Sequence, residues 1–146
     1  MAGAPWDAKR WPNFTPAQIA CRCCGEVYID AEALDALQNM RVRLGGPIVV
    51  NSGHRCAAHN AKIGGEPHSV HLQLAFDLTL GLYTRSSMLA LANDAGFKRF
   101  GLMLTALHVD THAIDATHAG IWTYGPQSRE AWRGLFPANT PDIGGR

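Results

Sequence analysis

The most constraining feature of this chain is a single acid inside an apolar run, Leu74-Ala75-Phe76-Asp77-Leu78-Thr79-Leu80, which ends at Gly81. A short apolar run closed by a glycine reads as a β-strand. Successive strand side chains point to opposite faces, so Leu74, Phe76, Leu78 and Leu80 share one face, and Ala75, Asp77 and Thr79 the other. The first face is wholly apolar and is expected in the core. The second carries a carboxylate whose burial is costly unless a cation or hydrogen bonds compensate it.

A second polar group sits in another expected strand, His108-Val109-Asp110-Thr111-His112. The same alternation puts His108, Asp110 and His112 on one face. His71 lies just before the Asp77 strand. Two histidines and a carboxylate drawn from these two segments match a catalytic zinc site that keeps one position open for water. The helical HExxH signature is absent, which excludes the common zincin arrangement.

The flanking elements are readable from caps and periodicity. Thr15-Pro16 opens a short helix over 17–20. Asp30 caps a longer one, in which Ala33, Leu37, Met40 and Leu44 form an apolar face that ends at Gly45-Gly46. The β-branched stretch 47–50 reads as a buried strand, and 51–71 as a polar loop whose length implies a functional cause. Thr84 caps a helix through Ala95, stopped by Gly96, and strands follow at 100–104, 107–111 and 121–124. Helices and strands alternate without βαβ regularity. The expected fold class is α+β, an antiparallel sheet flanked by helices in a single small domain over residues 1–136. Residues 137–146, rich in Pro and Gly, are expected to form a flexible tail.

Composition removes several function classes. The chain has 146 residues and is 47% hydrophobic, which suits one globular domain. No run of roughly 18 apolar residues exists, so no transmembrane segment is expected. Thirteen basic against 12 acidic residues give a net charge of +1, without the basic field of a nucleic-acid binder. The start, MAGAPWDAKRWPNF, lacks the apolar stretch of a secretory signal. Cys21, Cys23 and Cys24 crowd into CRCCG, and Cys56 follows Arg55. Three readings stay open for them: a zinc site of Cys21, Cys24 and Cys56 with a histidine, disulfides, or buried thiols. A zinc finger on nucleic acid would need a basic stripe beside CRCCG, and none is present.

Residues 47–78, PIVVNSGHRCAAHNAKIGGEPHSVHLQLAFDL, give a more specific match. An apolar strand precedes Ser52-Gly53-His54-Arg55, His59-Asn60 and Gly64-Gly65; Ser69-Val70-His71, Ala75-Phe76-Asp77 and His108-Val109-Asp110 follow. In this order the motifs resemble the M15 group of zinc D-Ala-D-Ala carboxypeptidases and related peptidoglycan peptidases, whose fold is similar to the hedgehog signalling domain. Trp11, Phe14, CRCCG and the 34–44 helix also resemble versions found in phage lysis proteins. The resemblance spans roughly residues 11–135.

The resemblance implies one Zn²⁺ held by His71, Asp77 and His108, with Arg55 and Ser69 binding substrate. It implies a peptidoglycan peptide as partner, a monomer, and a cell-wall lysis enzyme of a phage or prophage. Such an enzyme would be cytoplasmic before release to the wall, or carried in the phage particle. The remaining histidines, His54, His59, His68 and His118, are read as loop or substrate-side residues. Two positions depart from the pattern. His71 and Asp77 enclose five residues instead of six, with the usual glycine missing, and a deletion before Ala75 would keep the register of Asp77. The acid often found three residues before the last zinc histidine is Thr105 here. Asp110 is therefore the expected general base, with His112 behind it. A non-catalytic wall-binding module that keeps the fold is the alternative.

Overall fold

The computed structural model describes residues 5–66, 69–116 and 118–144. Five strands form one sheet in the order β1-β2-β4-β3-β5: β1 (Val50–Ser52), β2 (Phe76–Thr79), β3 (Arg99–Leu102), β4 (Ala106–Asp110) and β5 (Ile121–Thr123). All pairings are antiparallel except β3 with β5, which run parallel. The α+β class holds, with a sheet that is mostly but not wholly antiparallel.

The register divides the sheet into two faces. Phe76 pairs with Val109 and Leu78 with Leu107, while Phe100 and Leu102 continue the same rows on β3. All six are buried and share the core with Ala33, Leu34, Leu37 and Met40 of α2 (Ala31–Leu44) and Met88 and Ala92 of α4 (Arg85–Ala95). Burying each large apolar side chain contributes about 1.5–3 kcal/mol relative to leaving it in water. The opposite face carries Asp77 paired with His108, His108 beside Gly101, and Arg99 beside Asp110. One face therefore holds the sheet together, and the other is free for chemistry.

The two long helices form as their caps predict. The Asp30 carboxylate accepts the Ala33 amide and Thr84 that of Ser87, while Gly45 and Gly96 close the helices at φ +68° and +117°. The short helix is α1 (Pro16–Ile19).

Four segments differ from expectation. The first strand lies at 50–52 instead of 47–50, and Val49 is 60% exposed. A bulge between Val50 and Ser52 shifts their partners to Leu78 and Asp77. Such bulges bend a strand and re-aim the residue beyond it; here that residue is Gly53. The loop 51–71 contains α3 (Ala57–Lys62) and a 3₁₀ turn (Val70–Leu72). A helix α5 (Pro126–Ala131), with proline in its first turn, follows β5. Beyond it, Thr140 is buried, the Thr123 amide donates to Pro141, and Asp142 accepts the Gly125 amide, so residues expected as a tail lie along β5.

Candidate metal centre

The sheet's polar face brings His71, Asp77 and His108 together. Asp77 and His108 face each other across β2 and β4, and the 3₁₀ turn swings His71 in beside them. His108 Nδ1 lies 3.0 Å from Asp77 Oδ1 and 3.2 Å from His71 Nε2, and His71 Nε2 lies 3.3 Å from the same carboxylate oxygen. All three side chains are buried. The short interval between His71 and Asp77 is taken up by a bend at Gln73 and Leu74; β2 begins at Phe76, later than the expected Leu74, and Asp77 keeps the face that the alternation predicts, opposite His108.

The outer ring nitrogens fix which atoms face inward. His71 Nδ1 stands 2.7 Å from the Gly53 carbonyl, and His108 Nε2 stands 2.7 Å from Asp110 Oδ2. Both neighbours only accept, so these nitrogens donate. In the neutral rings, His71 Nε2 and His108 Nδ1 are then lone pairs aimed at each other and at a carboxylate. Three acceptors without a donor between them require a cation. A tetrahedral ion at about 2.0–2.1 Å from its ligands spaces them about 3.4 Å apart, close to the distances here. These three residues could hold a metal ion.

Electrostatics agree with this geometry. Burial opposes the Asp77 charge, but His71 and the hydrogen bonds from His108 and His71 outweigh it and hold the carboxyl well below its usual range. Burial, ahead of the pull of Asp77, lowers His71. Burial also disfavours the His108 cation, yet Asp110 and Asp77 overcome it and raise the ring to about 9. A proton thus takes the cation position when no metal does.

The family model described as Peptidase M15 matches residues 12–112, a span that includes all three donors. The chain belongs to the peptidase M15 family. None of the curated proteins compared with it matches. Members of this family are metal-dependent peptidases, so membership points to hydrolase chemistry at this site.

Around the donors of this M15 domain stands a ring of supports. Arg55 is buried; its Nη2 lies 3.5 Å from Asp77 Oδ2, and it donates to Asn60 Oδ1 and Ser52 Oγ at 3.0 and 3.3 Å. Gly65 explains the double glycine, since a Cβ there would collide with the Asn60 side chain. A Cβ on Gly53 would lie 2.5 Å from the Ile19 carbonyl oxygen. Ser69 Oγ accepts the His71 amide at 3.1 Å and so caps the turn that carries this ligand. Asp110 is 1% exposed, with Oδ2 taken by His108 and by Arg99 at 3.3 Å and Oδ1 taken by the His112 amide at 2.9 Å. Both oxygens are thus engaged, and Oδ2 acts on the outer nitrogen of the His108 ring. Trp122 packs on His108 and carries the Arg99 guanidinium 4.8 Å above its ring.

His112 lies just past β4, with its ring against His118, and lines a cleft of about 280 Å³ with Asp30, Glu32, Val70, Gln73 and Thr111. Thr105 is exposed in the β3–β4 turn. His54 is buried, bridging the Gln73 carbonyl and the Glu26 carboxylate at 2.6 and 2.8 Å, and is no open loop residue. His68 falls outside the described residues. The sequence reading missed Arg99 and Trp122. A buried arginine in the strand RFGL was the available signal for Arg99, whereas nothing local marked Trp122.

Proposed function

We propose that this domain is a zinc-dependent peptidase that hydrolyses peptidoglycan stem peptides, at a bond involving D-alanine or another wall-peptide linkage. The observation that carries the reading is the convergence of His71 Nε2, His108 Nδ1 and Asp77 Oδ1 within 3.0–3.3 Å of one another in a buried pocket of the sheet's polar face. A bound zinc would supply a Lewis acid for the scissile carbonyl and lower the pKa of its water to about 7.

The chain's own groups do the rest. The Gly53 carbonyl and the Asp110 carboxylate hold the two imidazoles in the tautomers that present lone pairs inward. Arg55 balances the second oxygen of Asp77, and its burial supports positioning over direct grip on the peptide. Ser69 holds the His71 turn at the edge of the cleft. His112 lines that cleft and is assigned the proton transfer from water to the leaving amine; Asp110 is assigned to orient His108. A phage or prophage lysis role fits, the enzyme reaching the wall after membrane permeabilisation or within a particle. No helix among the described residues is long and apolar enough to cross a membrane.

Two observations favour a second reading, a wall-binding module without turnover. Asp110 has both oxygens engaged, and Thr105 replaces the customary acid. Purified protein incubated with peptidoglycan separates the two. Release of new amino groups, lost with chelator and in His71→Ala, supports the peptidase. Sedimentation with the wall and no release, at saturating zinc, supports the module.

A further inference from the structure

A second group of metal-binding atoms lies outside the centre described above. The Sγ atoms of Cys21, Cys24 and Cys56 all lie within 4.8 Å of one another, and each is a free thiol. Cys21 is buried, Cys56 half-buried and Cys24 exposed. The first two cysteines of this trio flank a tight turn: the Gly25 amide donates to the Cys21 carbonyl at 2.9 Å, and Gly25 takes φ +77°, where a side chain would be strained. Cys56 arrives from the other side as the cap of α3, its sulfur accepting the His59 amide at 3.4 Å.

The turn and the cap surround one sulfur with donors. Backbone amides of Cys56, Cys24 and Cys23 point at Cys21 Sγ, that of Cys56 from 3.4 Å. Burial disfavours the thiolate, but these amides outweigh it and lower Cys21 to about 6. Thiolate, not thiol, is the metal-binding form. Three sulfur donors select a soft or borderline ion, and with a divalent, redox-inert one they form three sides of a tetrahedral zinc site. The exposure of Cys24 leaves the fourth side to solvent.

We propose that Cys21, Cys24 and Cys56 bind a second, structural zinc ion that staples the N-terminal segment to the loop carrying Gly53 and Arg55. The joined segments already touch, since the His54 amide donates to the Ile19 carbonyl at 2.9 Å. That loop supplies the Gly53 carbonyl to His71 and the Arg55 guanidinium to Asp77. His54 adds a second tie, from Glu26 just after the cysteine turn to Gln73 between the two ligands. The staple therefore braces the scaffold of the first centre without lying in it. It stands independently of any peptidase activity.

Metal counting under reducing conditions tests it. Wild-type protein loaded with zinc and desalted carries two equivalents, while Cys24→Ser and Asp77→Ala carry one each. Cobalt in place of zinc gives a thiolate-to-cobalt charge-transfer band in wild type and in Asp77→Ala, and none in Cys24→Ser. Cys24 is exposed, so its substitution leaves the core intact; the wild-type band gives an answer even if the variant fails to fold. A wild type without the band overturns the proposal, as does a Cys24→Ser protein that keeps the band and both equivalents. A disulfide between two of these thiols under the same conditions also overturns it. If Asp77→Ala instead keeps both equivalents, the peptidase centre fails while the thiolate site stands.

Discussion

His71, Asp77 and His108 meet because β2 pairs with β4, whereas Cys21, Cys24 and Cys56 meet because a tight turn touches the first turn of α3. Each trio offers three donors, but they differ in burial and in second contacts. Both histidines are fixed from behind by acceptors, and Asp77 by an arginine. The sulfurs are fixed by backbone amides. A centre built by sheet register depends on the whole core; one built by a turn and a helix cap depends mainly on local backbone. Chemistry belongs on the first, where rigid strands set the geometry, and bracing suits the second.

Four experiments break or sharpen that contrast. The largest effect is expected from His71→Ala, which removes one donor: peptide release falls to background and one zinc equivalent is lost, while the thiolate-to-cobalt band is unchanged. Loss of both signals would mean that the two centres are not separable. Next is Leu78→Ala, beneath Asp77 in the core. It is expected to cost about 2–5 kcal/mol in a denaturant titration, and to weaken metal binding at the sheet centre more than at the sulfurs. Equal weakening would contradict the dependence on register.

A smaller effect is expected for Asp110→Asn, which keeps shape but removes the charge that orients His108. Zinc affinity at the sheet centre should drop about 10–100-fold, with the sulfur site unaffected. Unchanged affinity would remove Asp110 from its positioning role. The smallest is a pH effect. The metal-free protein holds a proton on His108 up to about pH 9, so zinc must displace it. Affinity should rise about tenfold per unit as pH climbs toward 9 and level off above it. Calorimetry in buffers of different ionisation enthalpy should show release of about one proton per ion at pH 7 in Cys24→Ser, which isolates this centre.

Much of the sheet centre was legible in the chain because strand alternation is a local rule. Leu74 through Leu80 announce which side Asp77 takes, and His108 and Asp110 follow the same period. His112 does not, because β4 ends at Asp110. The helices with strong caps at Asp30 and Thr84 were equally plain. What was hidden depends on partners distant in sequence. The six-residue α3 is too short to be stable alone. Its buried Asn60 is held by Arg55 and by close approach of Gly65. The parallel pairing of β5 with β3 leaves no local mark, and neither does Arg99 reaching Asp110 across the β3–β4 hairpin. Gly53 was visible as a motif residue, but its carbonyl supports a ligand only because the fold brings it, just past the bulge in β1, against a ring 18 residues away in sequence.

The central claim is that His71, Asp77 and His108 bind one metal ion directly. Anomalous diffraction at the zinc edge, from crystals grown with zinc, tests it most simply. The account predicts a peak bonded to His71 Nε2, His108 Nδ1 and an Asp77 oxygen. Zinc-saturated crystals with no peak among those three atoms would contradict it.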